Sequence, residues 1–215
     1  MVSPRILSGL PEIDAFRQRL QQMATLWQVV GLKYDDFTYE YHPKWDEKEE
    51  MGAFKNGAGD EVFCHFTPQG CCIVGFDHES VMSPYRTDPP QLWPGLLESV
   101  PEVFQSTLDE PAFDVPSTTF FIWREQGDSI WKTGDIELPD SMSGDGSDYL
   151  MGQLMMDAGA FTDWLEENFE VEIEPAIVEL VFEHQPLSQE QWQSLAPEST
   201  WKDVKNVIQE NGYSL

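Results

Sequence analysis

The sequence predicts an α+β fold, an antiparallel sheet built from central hairpins and covered by N- and C-terminal helices. Three observations predict it. Strand-like runs rich in β-branched and aromatic residues crowd the middle of the chain. Helical periodicity occupies the first thirty residues and the stretch from 148 onward. Two pairs of strand-like runs are each separated by a short segment containing Gly.

Residues 11–31 read as an amphipathic helix, because Ile13, Phe16, Leu20, Met23 and Trp27 recur at steps of three and four. Ser8 or Gly9 precedes it, Pro11 suits its first turn and Gly31 its end. Residues 34–42 alternate through Phe37, Tyr39 and Tyr41 as a strand does, and the charged stretch 45–56 reads as a short helix stopped at Asn56-Gly57. Glu61–Phe66 and Cys71–Phe76 flank Thr67-Pro-Gln-Gly70, a hairpin signature. Residues 81–100 contain Pro84, Pro89, Pro90 and Pro94 and read as a long ordered loop, with a short helix at 101–109. Thr118–Arg124 and Ile130–Thr133 flank Gln126-Gly-Asp128 as a second hairpin, which 134–138 extends or follows, and 141–147 is a Gly, Ser and Asp loop.

Beyond 148, Phe161, Trp164, Leu165 and Phe169 share one helical face. Glu170–Glu174 alternates as an exposed strand would. Pro175 opens a helix bearing Ile177, Val178 and Val181, and 188–195 reads as another. Thr200-Trp-Lys-Asp203 resembles a capping box with Asp in place of Glu, followed by the stripe Trp201, Val204, Ile208 and the stop Asn211-Gly212. No repeat or linker divides the chain, so residues 1–215 are expected to form a single domain.

Charge narrows the function classes. The chain has 12 Lys and Arg against 39 Asp and Glu, a net charge of −27. Nucleic-acid phosphates and anionic lipid are held by Lys and Arg, so neither is an expected partner. With 27 aromatic residues the chain is not an acidic disordered tail. No apolar run approaches the roughly 20 residues of a membrane span, and residues 1–10 contain no signal-peptide core. Three closely spaced cysteines, Cys64, Cys71 and Cys72, form no disulfide framework, and adjacent Cys71 and Cys72 point to opposite faces of a strand. A cytoplasmic location follows as an expectation.

The charge is uneven, net −7 over residues 1–100 and net −20 over 101–215, with 16 acids and no Lys or Arg between Lys132 and Lys202. Asp163, Glu166, Glu167 and Glu170 fall on one helical face, and Glu179 and Glu183 continue on the next helix. These six residues are the candidate docking surface for a basic protein partner; a solvated, merely solubilising face is the alternative.

Candidate chemistry centres on Asp77, His78 and Glu79, directly after the Cys71–Phe76 strand, where the three can bind a metal or act as acid and base. Convergence with at least one of His65, His42 or His184 is expected if they form an enzyme site. The cluster has no established metal-ligand spacing, and the simpler reading is a turn capped by Asp77 and Ser80 with His78 hydrogen-bonded locally. The loop Asp140–Asp148 is acidic enough for Ca²⁺ but lacks the EF-hand spacing, so helix capping by Ser147 or Asp148 is its simpler role. Cys64, Cys71 and Cys72 read as core residues rather than nucleophiles. Trp45, Trp93, Trp123 and Trp131 line a groove or, more simply, fill the core. There is no Walker A loop, GxGxxG or GxSxG, and no cofactor is called for.

Several stretches together resemble a family of acidic bacterial proteins with no established activity: Gly75-Phe-Asp-His-Glu-Ser80 with Ser83-Pro84, Pro101–Phe104 with Glu110–Phe113, Thr133–Glu137, His184–Leu187 and Asn211-Gly-Tyr213. The resemblance spans about residue 50 to the C-terminus and carries over no site residue. A looser analogy, of charge and fold class only, is to the immunity proteins of bacterial toxin systems. The leading expectation is therefore an acidic interaction module, inhibitor- or immunity-like; the alternative is a metal-binding protein or metal-dependent enzyme using Asp77, His78 and Glu79.

Overall fold

The computed structural model describes residues 7–34, 38–139 and 144–214. A six-stranded antiparallel sheet runs in sequence order, each strand beside the next: β1 (Tyr39–Asp46), β2 (Glu49–Lys55), β3 (Glu61–Thr67), β4 (Gly70–Phe76), β5 (Phe120–Glu125) and the short β6 (Lys132–Thr133). The helices are α1 (Ile13–Val30), α2 (Gln105–Asp109), α3 (Ser147–Leu154), α4 (Ala158–Phe169), α5 (Pro175–Phe182), α6 (Gln189–Leu195) and α7 (Trp201–Glu210). The α+β architecture is as expected, with helices from both termini on the sheet.

Both faces of the sheet are covered, which is why its central strands are nearly continuously apolar. Alternation sends Val62, Cys64, Phe66, Cys71, Ile73, Phe120 and Ile122 to one face, under α1 and the C-terminal helices. Phe63, Cys72, Val74, Phe121 and Trp123 face the other side, against Met82, Leu96, Phe104, Phe113 and Val115 of the irregular stretch between β4 and β5. On the first face Trp27 of α1 lies 4.6 Å from Phe169 of α4 and 5.1 Å from Tyr39 of β1, ring centre to ring centre. Burying one such ring is worth about 1.5–3 kcal/mol, and this group ties helix to sheet.

Two sequence expectations are corrected. Residues 45–56 are not a helix: they complete β1, turn at Glu47-Lys48 with Lys48 at φ 63°, and form β2. Of the charges that looked helical, Glu47 and Lys48 form that turn, while Asp46, Glu49 and Glu50 sit in the strand ends beside it. Gly52 disfavours a helix, and in β2 it passes beneath Leu20 while Met51 and Phe54 enter opposite cores. Residues 170–174 are not a strand. Glu170 ends α4 in the left-handed region at φ 51°, and Ile173 turns inward with its N–H donated to Glu166 Oε1 at 2.7 Å. Phe37 and the loop residues 140–143 lie outside the described residues.

Helix ends follow local chemistry. Ser188 and Gln191 form a complete capping box on α6 that the sequence reading passed over. Thr200 accepts from the Asp203 N–H and donates its hydroxyl to the Asp203 carboxylate at 2.6 Å, so α7 is capped as expected. No helix among the described residues is long and apolar enough to cross a membrane.

Candidate cation-binding cleft

Where β4 ends, Asp77 turns the chain. Its Oδ1 accepts the N–H groups of Glu79 (2.8 Å) and Ser80 (3.1 Å), so the capped turn exists. The β3–β4 pairing closes at Glu61 opposite Phe76, and one step further sets Asp60 against Asp77. Asp60 leaves the β2–β3 turn, where Asn56 Oδ1 accepts the N–H of Ala58 and of Asp60. It reaches His78 twice: Asp60 Oδ1 accepts the His78 backbone N–H at 2.9 Å and lies 2.6 Å from ring Nδ1.

A third segment closes the cleft. The Thr119 hydroxyl, just before β5, accepts the Asp77 N–H and donates to the Asp145 carbonyl at 2.7 Å, while Ser80 donates to the Gly144 carbonyl at 2.9 Å. Gly146, at φ 84°, lies directly on Asp77. Asp145 Oδ1 accepts the Ser147 N–H and hydroxyl at the start of α3; the N-cap is Gly146, without a side-chain cap, so neither Ser147 nor Asp148 caps the helix as expected.

The result is a cleft of about 370 Å³ lined by Asp60, Asp77, His78, Glu79, Asp145, Asp148 and Tyr149, with Gly144 and Gly146 and no Lys or Arg. Asp60, Asp77 and His78 each offer one ligand atom, all within 4.8 Å of one another. Glu79 points to the rim, 85% exposed, its Oε1 3.9 Å from His78 Nε2. Asp145 is only 4% exposed, and its Oδ2 has no hydrogen-bond partner among the described residues. A buried, unpaired carboxylate oxygen on the wall of an acidic cleft is costly unless a cation or water reaches it.

The charge states follow. Burial works to raise the Asp60 carboxyl, but the bonds from His78 and Asn56 outweigh it and hold the group below its ordinary value. The same bond to Asp60 raises the exposed His78 imidazole. Burial raises the Asp145 carboxyl, against the bonds from Ser147.

The structure brings together Asp77 and His78 with Asp60, and joins Asp145 and Asp148 of the second sequence candidate to the same cleft. The histidines proposed to converge on it do not. His65 is buried between Glu49 Oε2 (3.0 Å) and Thr107 Oγ1 (2.9 Å), and burial lowers its pKa. His42 pairs with Glu40 on the sheet edge, and His184 stacks on Tyr213. Cys64, Cys71 and Cys72 are buried thiols whose pKa burial pushes up, so none is poised as a nucleophile. Trp123 and Trp131 fill the two cores, with Trp45 and Trp93 packed against the second.

Asp60 was missed although the sequence holds its signal: the hairpin register, carried one pair past Glu61 and Phe76, finds it. Beside the cleft, sharing His78 and Glu79, an open groove of about 550 Å³ is lined by Ser83, Tyr85 and Arg86. On the acidic face, Asp163, Glu167, Glu170, Glu179 and Glu183 are exposed and half-buried Glu166 holds the Ile173 N–H. None of the six forms an ion pair among the described residues, and neither do Lys202 and Lys205. No protein family, curated protein or solved structure matches the chain, so the cleft is read from its own residues.

Proposed function

We propose that the protein binds a divalent cation between Asp60, Asp77 and His78. The observation that carries this reading is three ligand atoms within 4.8 Å in a cleft lined by no Lys or Arg. The donor set is carboxylate oxygen with one imidazole, and the thiols lie elsewhere in the core. That favours an oxygen-preferring ion such as Mn²⁺, Mg²⁺ or Ca²⁺ over a thiolate-seeking one. An ion held by both His78 and Asp60 would take the place of the 2.6 Å bond between His78 Nδ1 and Asp60 Oδ1. Titrating the purified protein with Mn²⁺ by calorimetry should give one ion per chain. Asp77→Asn and His78→Ala should each weaken it by at least about tenfold, in line with loss of a metal contact. Saturation unchanged in both variants would sink the proposal.

A second reading, docking of a basic protein on the acidic face, is favoured by the exposed, unpaired state of Asp163, Glu167, Glu170, Glu179 and Glu183. Such a partner should associate faster at low salt and lose affinity as salt rises. Replacing Asp163, Glu167 and Glu170 by Lys should abolish it; capture that survives this change would exclude the face.

A further inference from the structure

We infer that the cation in the cleft recruits a phosphate-bearing small ligand into the adjoining groove, with Arg86 as the ligand's second anchor; this rests on the cation-binding reading above. The groove and the cleft share His78 and Glu79, so a ligand in one borders an ion in the other. Of the basic side chains that form no ion pair among the described residues, Arg86 is the one that lines this groove. Backbone carbonyls of the Asp77–Ser80 turn hold it instead. Nε donates to the Ser80 carbonyl at 3.0 Å and Nη2 to the Glu79 carbonyl. The guanidinium is thus fixed in place by groups that leave its charge uncompensated, and Nη1 is not engaged by those bonds. Guanidinium is the side chain best matched to phosphate oxygens.

Tyr85 completes the groove as a held aromatic wall. It is 61% exposed, yet its hydroxyl bonds Ser117 at 2.7 Å and its ring meets Phe76 edge-on at 5.9 Å. Charge then makes the order of binding obligatory. A phosphate entering the groove lies within a Debye length, about 10 Å at 0.1 M salt, of Glu79 and the cleft carboxylates. One arginine does not offset them. A divalent ion between Asp60, Asp77 and His78 removes most of that repulsion and offers its open coordination positions to the phosphate oxygens. Oxygen-preferring ions are commonly held in this way, by a few carboxylates together with phosphate. The coupling is reciprocal, so the ligand strengthens cation binding by the same factor.

Mn²⁺ with inorganic phosphate tests this on the full chain. Electron paramagnetic resonance reads free Mn²⁺, and ³¹P line broadening reads phosphate next to bound Mn²⁺. The wild type should broaden phosphate in proportion to bound Mn²⁺, and phosphate should tighten Mn²⁺ binding. Arg86→Gln should keep its Mn²⁺ but lose about tenfold in phosphate affinity, the loss expected of one charge-assisted contact. Arg86→Lys, which keeps the charge without the carbonyl bonds, should retain more of the effect than Gln. It also guards against a variant that merely loosens the turn. Bound Mn²⁺ without broadening, or broadening unchanged in Arg86→Gln, overturns the inference and leaves the cation site standing. A wild type that binds no Mn²⁺ overturns both.

Discussion

At the scale of a residue, the cleft depends on an absent methyl group. Gly146 has φ 84°, and a Cβ placed on it would sit 2.2 Å from Asp77 Cβ and 2.4 Å from Asp77 Oδ2. A residue with a side chain there meets two penalties, the left-handed backbone and a clash with an atom fixed to the opposite main chain. Gly127 separates them, because it has φ 93° and open space around its Cβ position. Gly127→Ala should therefore cost only the conformational part, about 1 kcal/mol in thermal unfolding, and leave Mn²⁺ affinity untouched. Gly146→Ala should cost about 1–3 kcal/mol and lower Mn²⁺ affinity at least tenfold, because Asp77 or the α3 start has to move. Equal Mn²⁺ affinity in Gly146→Ala and the wild type would show that the α3 start yields and that the ion does not depend on the Gly146–Asp77 contact.

At the scale of the element, legibility in the sequence tracked how local the determining forces are. α1 and α7 were readable from apolar spacing and end signals, because Phe16, Leu20, Met23 and Trp27, like Val204 and Ile208, meet the core along a single stripe. The β3–β4 hairpin was readable from alternation and its Pro-Gly turn. β2 was not, because Glu49-Glu50 and Lys55 reveal nothing of partners that are supplied from across the sheet, Phe66 to Glu61 on one side and Tyr39 to Asp46 on the other. The cleft divides the same way. Asp77 and His78 follow a recognisable strand end, so their position was legible. Asp145 and Asp148 were legible only as an acidic loop, since Thr119 and Ser80, far away in sequence, bring that loop to the turn. None of the three histidines, of which an enzyme site was expected to recruit at least one, joins the cluster, because facing direction decides where each points. His65 faces the second core while its neighbours Cys64 and Phe66 face the first.

At the scale of the whole molecule, a net charge of −27 on 215 residues sets how the fold responds to ions. Self-repulsion opposes the compact state, so monovalent salt should raise the melting temperature by screening alone. A divalent ion adds a second effect that screening does not provide. Binding to the folded state alone stabilises by RT ln(1 + [ion]/Kd), about 2.7 kcal/mol at a hundredfold excess over Kd. For a chain of this size each kcal/mol is about 2–4 °C. At equal ionic strength Mn²⁺ should thus raise the melting temperature about 5–11 °C beyond NaCl. Loose condensation of Mn²⁺ on the acidic face of α4 and α5 would also exceed NaCl, and Asp77→Asn separates the two sources. That variant keeps every carboxylate of the face and removes one from the cleft, so its extra shift should fall to the part condensation supplies. An extra shift of the same size in wild type and Asp77→Asn would assign the whole effect to the acidic surface, and cation binding would be a property of the molecule's charge rather than of Asp60, Asp77 and His78.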